Sequence, residues 1–307
     1  MQIQQKLPSV VEKNGFYLLL FALLALLYTP LLWHWVDGWL NKSISIEHEY
    51  FSHGLIGLPF AAYIVWENRH KWERLRDRAQ PLGAILLGLG ASFYLTGISE
   101  WVNLSFPIVL TGLCLWLKGI EGLKLQKYAL LFVLLATPNS IPYLITPYTL
   151  PLQTFIAGTA GFILIHLGIP VEVEGIYLTV GGKLVEVAPY CAGLKMLFTS
   201  LYVALMLLYW TDAIRSRRKT VLLLAGAATL SVLANIIRNT LLTFFHGTGR
   251  TDAFVWLHDS WGGDVYSACM LGLIVVLLKV IERADAQMDW KTSGANTNGK
   301  LESQEEA

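Results

Sequence analysis

A thiol, a guanidinium and an imidazole that charge asymmetry places on one membrane face suggest a membrane-embedded cysteine enzyme. Cys191 follows Val185-Glu186-Val187-Ala188-Pro189-Tyr190 and precedes Ala192-Gly193-Leu194-Lys195 at the mouth of an apolar segment. A helix opening there would favour its thiolate through unpaired N–H groups and the positive end of the dipole, and Lys195 would add to this. A thiolate attacks a carbonyl carbon and holds the acyl group as a thioester. Arg238 lies in the run Ser231-Val232-Leu233-Ala234-Asn235-Ile236-Ile237-Arg238-Asn239. Ser231, Asn235, Arg238 and Asn239 recur at spacings of three or four and share one helical face. A charge inside an apolar span is costly and faces a cavity or a partner. His258, in Trp256-Leu257-His258-Asp259-Ser260-Trp261-Gly262-Gly263-Asp264, stands just before the last apolar stretch, and an imidazole moves protons near neutral pH.

Each residue also has a structural reading. Cys191 is alternatively a small buried hydrophobe, as Cys114 and Cys269 are expected to be within their apolar runs, or half of a disulfide with Cys269. Arg238 is alternatively a snorkelling side chain, although that needs no polar stripe beneath it. His246 and His53 compete with His258. Glu47, His48, Glu49 and His53 fit no metal-ligand spacing well, and neither metal nor organic cofactor is expected.

These residues must be positioned by membrane helices. With 54% hydrophobic and 15% charged residues and a mean hydropathy of +0.50, the composition excludes an ordinary soluble domain. The expected fold is an all-α polytopic membrane protein with about eight transmembrane helices. The spans fall near Phe16–Val36, His53–Trp66, Leu82–Thr96, Phe106–Leu117, Tyr128–Leu144, Gly193–Trp210, Thr220–Leu242 and Val265–Ile281. A re-entrant or interfacial helix and a short extracytoplasmic β-hairpin complete it.

Orientation follows from the basic loops. Arg69, Lys71, Arg74, Arg76 and Arg78, then Lys118, Lys124 and Lys127, then Arg215, Arg217, Arg218 and Lys219 mark cytoplasmic loops, whereas Asp37, Glu47, Glu49 and Glu100 mark outer ones. A full crossing at Leu152–Leu167 would export the third basic cluster, so that segment, preceded by Pro138, Pro142, Pro147 and Pro151, is read as re-entrant with both ends outside. Cys191, Arg238 and His258 then share the outer face of the cell membrane, and both termini are cytoplasmic. The first apolar run is too long for a cleaved signal peptide and is expected to remain as an anchor.

The run from Val171 to Val187 is β-branched, with Gly181-Gly182 at the centre of a two-residue hairpin turn whose second strand leads to Cys191. Residues 1–283 are expected to form one membrane domain. Residues 284–307, rich in Asn, Gly, Ser and Glu, are expected to be a disordered cytoplasmic tail.

The order Cys191-x-Gly193 at the start of a span, Asn235-x-x-Arg238-Asn239 near the end of the next, and His258-Asp259-x-x-Gly262 before the last resembles the exosortase and archaeosortase family, most closely its cyanobacterial members. Ser52-His53-Gly54, the Pro-rich stretch and the Gly-Gly hairpin extend the resemblance over residues 50–281. Many members read Cys-Ser-Gly where this chain has Cys191-Ala192-Gly193, so a hydroxyl beside the nucleophile is missing. The resemblance implies a membrane cysteine protease or transpeptidase, sortase-like by convergence. Its substrates would be exported proteins ending in a Pro-Glu-Pro-type sorting signal, a transmembrane helix and a basic cluster.

In that chemistry Cys191 is the nucleophile, Arg238 the oxyanion stabiliser and His258 the proton carrier. Asn235, Asn239, Gly193 and Asp259 support them. The partners are the exported substrate and the bilayer, with room for an accessory membrane protein and no role for nucleic acid. Two readings of another class stand beside this one: a non-enzymatic transporter in which Arg238 binds an anion, and a membrane acyltransferase working through a cysteine thioester.

Overall fold

The computed structural model describes residues 7–40, 50–188, 193–258 and 260–305, which fall into two compact units, Met1–Ser140 and Ile141–Ala307. The first unit is helical: α1 (Leu7–Leu40), α2 (Gly54–Glu67), the short α3 (Arg69–Arg74), α4 (Pro81–Leu95) and α5 (Ser99–Ala136). In these apolar stretches only a helix satisfies every backbone polar group within the segment itself.

Helix α5 is not one rod. Gly119 has φ 64 and ψ −153 inside it, and the Ser140 N–H donates to Glu100 Oε1 at 3.4 Å. A straight helix of 38 residues would hold its ends about 57 Å apart, so the chain folds back at Gly119 into two arms. Helix α4 runs antiparallel to the first arm: Phe93 and Trp101 have ring centroids 4.6 Å apart, and a Cβ at Gly83 would stand 2.5 Å from the Trp116 nitrogen. Helix α2 runs antiparallel to the second, with His53 Nε2 bonded to the Leu135 carbonyl at 3.0 Å, Phe60 on Phe132, and Asn68 Nδ2 donating to the Leu125 carbonyl at 3.2 Å. Trp35 of α1 donates from Nε1 to Asn103 Oδ1 at 2.7 Å.

The second unit begins with α6 (Ile141–Ile145), a 3-10 turn (Thr146–Tyr148) and α7 (Leu150–His166). Strands β1 (Val171–Glu174), β2 (Tyr177–Val180) and β3 (Lys183–Glu186) follow, then α8 (Leu194–Trp210), α9 (Arg217–Gly247), α10 (Thr251–His258) and α11 (Trp261–Glu305). The expected Gly-Gly turn is present, Val180 pairing with Lys183 across Gly181 and Gly182 at φ 58 and 76. The sheet nevertheless has three antiparallel strands in the order β1-β2-β3, because a turn at Gly175, φ 61, divides what reads in the sequence as one long first strand. One core joins Ile156, Ala157 and Ala160 of α7 to Leu178, Val187 and Ile236. A second joins α8, α9 and α11 through Ala204, Leu208, Leu223, Ala227, Ile274 and Leu278.

Among the described residues, four helices are long and apolar enough to cross a membrane: Tyr17–Leu40, Ser99–Ala136, Arg217–Gly247 and Trp261–Gln287. The pair Ile141–Tyr148 and Leu150–His166, bent by 60°, would make a fifth, while Gly54–Glu67, Pro81–Leu95 and Leu194–Trp210 are apolar but shorter. The chain is therefore a mostly helical, multi-pass membrane protein with four to five such spans and a small sheet. This count is lower than the eight expected because three of the expected spans are short helices and two are arms of α5.

Candidate active site

Helix α9 is the spine of the site. It opens with Ser216, whose side chain accepts from the Lys219 N–H, and its basic first turn is tied to α11 by Asp285, 3.3 Å from Arg218 Nη1 and 3.6 Å from Lys219 Nζ. Farther along, Ser231, Asn235, Asn239 and Thr243, spaced by four, are all buried. Asn239 Nδ2 donates to the Asn235 carbonyl at 2.9 Å. Ile236, one position round the helix, packs into the core shared with α7 and the sheet. This polar row therefore faces protein and cannot be accounted for by snorkelling.

Gly193 fits directly against this row. It caps α8 with φ 84 and ψ 12, and a Cβ on it would lie 2.7 Å from Asn235 Cγ. Both the backbone conformation and the close approach demand glycine. Helix α8 opens at Leu194, close to where the sequence places a helix start, and Lys195 in its first turn is half-buried. Cys191 and Asp259 lie outside the described residues.

Arg238 is half-buried, and its buried Nε has no hydrogen-bond partner among the described residues. Its guanidinium borders the first turn of α11, where a Cβ on Gly263 would lie 3.8 Å from Nη2 and 3.0 Å from the Leu257 carbonyl oxygen. One glycine thus separates the guanidinium from the backbone that carries His258. One turn farther along α11, the Tyr266 hydroxyl donates to the Ala234 carbonyl at 2.5 Å and ties α11 to the residue before Asn235. The adjacent Gly262 lets α10 and α11 meet closely, since a Cβ there would fall 2.5 Å from the Trp256 carbonyl oxygen.

His258 ends α10 with its ring stacked on Phe254 at 5.1 Å and 9°. The rival His246 lies 5.2 Å from Phe254, so the two imidazoles flank one ring at the corner between α9 and α10. The other rival, His53, belongs to the first unit, where it is buried and bonded to Leu135. Glu47, His48 and Glu49 lie outside the described residues. Among the described residues, Cys269 is a free, exposed thiol and Cys114 is free and half-buried; the alternative Cys191–Cys269 pairing falls on a residue outside the described ones.

Two anchors that sequence reasoning missed hold the ends of β3, the strand that leads toward the cysteine segment. The buried Gln153 of α7 donates from Nε2 to the Val187 carbonyl at 3.0 Å, just after β3. At the other end of that strand, Gly181 and Gly247 meet so closely that a Cβ on Gly181 would stand 2.6 Å from the Gly247 carbonyl oxygen. A lone amide in the apolar run of α7 was the available signal for Gln153. Its partner is set by tertiary packing and is invisible in any local pattern.

No curated protein and no solved structure matches the chain. The family model of the transmembrane exosortases matches residues 39–275, well over half of the 307 residues, without singling out a cyanobacterial branch. Members of that family are membrane proteases or transpeptidases that process sorting signals of exported proteins within the membrane. The match takes in the Gly193–Asn235 contact, the Arg238 guanidinium and the α10–α11 corner, and on that basis the chain belongs to the transmembrane exosortase family.

Proposed function

We propose that this protein is a cysteine transpeptidase of the extracytoplasmic membrane face, closest to the cyanobacterial exosortases, cleaving Pro-Glu-Pro-type C-terminal sorting signals through a thioester on Cys191. The observation that carries the reading is Gly193 seated on Asn235, one helical turn from Arg238. Two residues of chain span at most about 7 Å, so Cys191 is tethered within reach of the guanidinium's surroundings.

His258 accepts the thiol proton, and the sulfur bonds to the scissile carbonyl carbon. The carbonyl oxygen, now an oxyanion, is met by guanidinium N–H groups of Arg238. Collapse breaks the C–N bond, and the amine departs with the proton that His258 held. The acceptor, water or an amine, then attacks the thioester and releases the thiol. Asn235 and Asn239 hold the helix face beneath Arg238, Gly193 holds the segment of Cys191, and Asp259 supports His258.

The lengths of α9 and α11 support placing this chemistry at the outer boundary of the hydrocarbon. Arg218 to Arg238 is twenty residues, about 30 Å of helix, which is the thickness of the bilayer core. Gly263, beside Arg238, and Asp285, bound to Arg218, lie a similar length apart on α11. With the basic turn inside, Arg238 stands where a substrate's transmembrane helix emerges, and the sheet packs along the outer part of α9.

The full topology has eight crossings, with α7 re-entrant, both termini cytoplasmic and residues 1–283 forming one functional domain. The reversal at Gly119 supports counting the arms of α5 separately. Single cysteines at Thr149 and Glu172 are both labelled from outside if α7 is re-entrant.

The deciding experiment is an immunoblot of a tagged substrate with a Pro-Glu-Pro-type signal, coexpressed with wild type or Cys191→Ala at matched membrane levels. Processing by wild type alone is expected. Equal processing by both would sink the cysteine mechanism.

A further inference from the structure

The proposed nucleophile sits on a segment whose upstream flank is fixed by a side chain outside the catalytic set. Val187, fully buried at the end of β3, gives its N–H to the Ile176 carbonyl at 2.9 Å, and its own carbonyl accepts from Gln153 Nε2 at 3.0 Å. Gln153 is itself buried. It projects from α7, whose neighbouring core residues Ile156, Ala157 and Ala160 are apolar. A primary amide buried there costs free energy unless hydrogen-bonded, and the strand register ends at Glu186, with the Val187 N–H bond to Ile176 just beyond it. The downstream flank is fixed by Gly193 on Asn235.

We infer that Gln153 is a positioning residue: by clamping the Val187 carbonyl it sets where the chain leaves the sheet, and hence where Cys191 stands relative to Arg238. The inference rests on Cys191 being the nucleophile. Small displacements of a reacting group cost up to two orders of magnitude in rate, so the clamp acts on kcat and on thiol reactivity.

The test uses the full chain with Cys114→Ala and Cys269→Ala, leaving Cys191 as the one thiol. Gln153→Met keeps length and volume but cannot donate. Gln153→Glu is isosteric, and its protonated form, favoured by burial, donates the same bond. Two readouts are taken against pH: the rate of Cys191 alkylation by iodoacetamide, which needs no substrate, and kcat and KM for the tagged signal.

Gln153→Met is expected to shift the alkylation profile and lower kcat on the order of 10- to 100-fold with KM little changed. Gln153→Glu should recover both as pH falls. Ile156→Val, which trims the same helix without touching the clamp, should lower thermal stability alone. A wild-type alkylation profile in Gln153→Met overturns the clamp, as does equal impairment of Met and Glu variants at every pH. The alkylation arm decides this even if no sorting signal is processed, so failure of the clamp and failure of the functional reading are told apart.

Discussion

Lys118 and Arg238 are both cations drawn into apolar surroundings, one in each compact unit, and their environments differ in kind. Lys118 is only 2% exposed, yet its ammonium donates to the Leu75 carbonyl at 2.7 Å, pairs with Asp77 at 2.7 Å and lies over Trp72. Every part of that charge is spoken for within the fold. Arg238 is more open, but its buried Nε has no partner among the described residues, and its guanidinium borders Gly263. A buried cation with a complete set of acceptors closes a structure, whereas one held in place with donors unspent is arranged for charge that arrives later.

Substituting both cations tests this contrast and carries the largest expected effect. Arg238→Lys should reach the membrane at normal levels and lose processing by about 10²- to 10³-fold, the range for removing an oxyanion donor, because an ammonium cannot present the planar fork. Lys118→Met should do the reverse. It removes the bond to Leu75 and the pair with Asp77, whose side chain stays largely in solvent, so the loss is about 1–3 kcal/mol of stability with turnover per folded molecule unchanged. Quantitative immunoblots of enzyme and product separate the outcomes, and near-normal processing by Arg238→Lys would erase the distinction between the two cations.

The next effect sharpens where the second unit brings its groups together. Gly193→Ala places a methyl on Asn235 at a φ that L-residues avoid, which costs on the order of 1–3 kcal/mol in strain alone. Processing should fall severely. Asn235→Ala in the same chain should restore part of it if collision dominates, and none if the backbone conformation does.

What the sequence disclosed follows the reach of each interaction. The row Ser231, Asn235 and Asn239 is legible because its spacing is the helix period itself, while Thr243, which extends it by a turn, is seen only in the structure; the Gly181-Gly182 turn is legible because positive φ at both positions selects glycine. The third strand was hidden because Val171–Val180 reads as one β-branched run, and Glu174-Gly175 is a weak break in it. In the sequence, Lys118 to Lys127 reads as a loop, whereas a single glycine makes the bend and the helix resumes at once. Gln153, Gly263 and Tyr266 act on partners many residues away or on another helix, and no local period encodes those pairings.

Tyr266 and Asp285 fasten α11 to α9 at opposite ends. Tyr266→Phe deletes the hydroxyl bond to Ala234 beside the site. Such interhelical bonds in membranes are worth about 0.6 kcal/mol on average, so stability should barely move while kcat falls a few-fold as the Arg238 face loosens.

Asp285→Asn breaks the pairs with Arg218 and Lys219 at the opposite end. Arg218 is more than half exposed but Asp285 is only 17% exposed, so the pairs lie between surface and buried ones and stability should fall by about 1–2 kcal/mol, while kcat should stay within twofold of wild type. If Asp285→Asn cost as much activity as Tyr266→Phe, the contacts would matter only as generic fasteners of α9 to α11, and proximity to Arg238 would explain nothing. A graded result, large at Arg238, small at Tyr266 and near zero at Asp285, is what a site confined to one end of these helices requires.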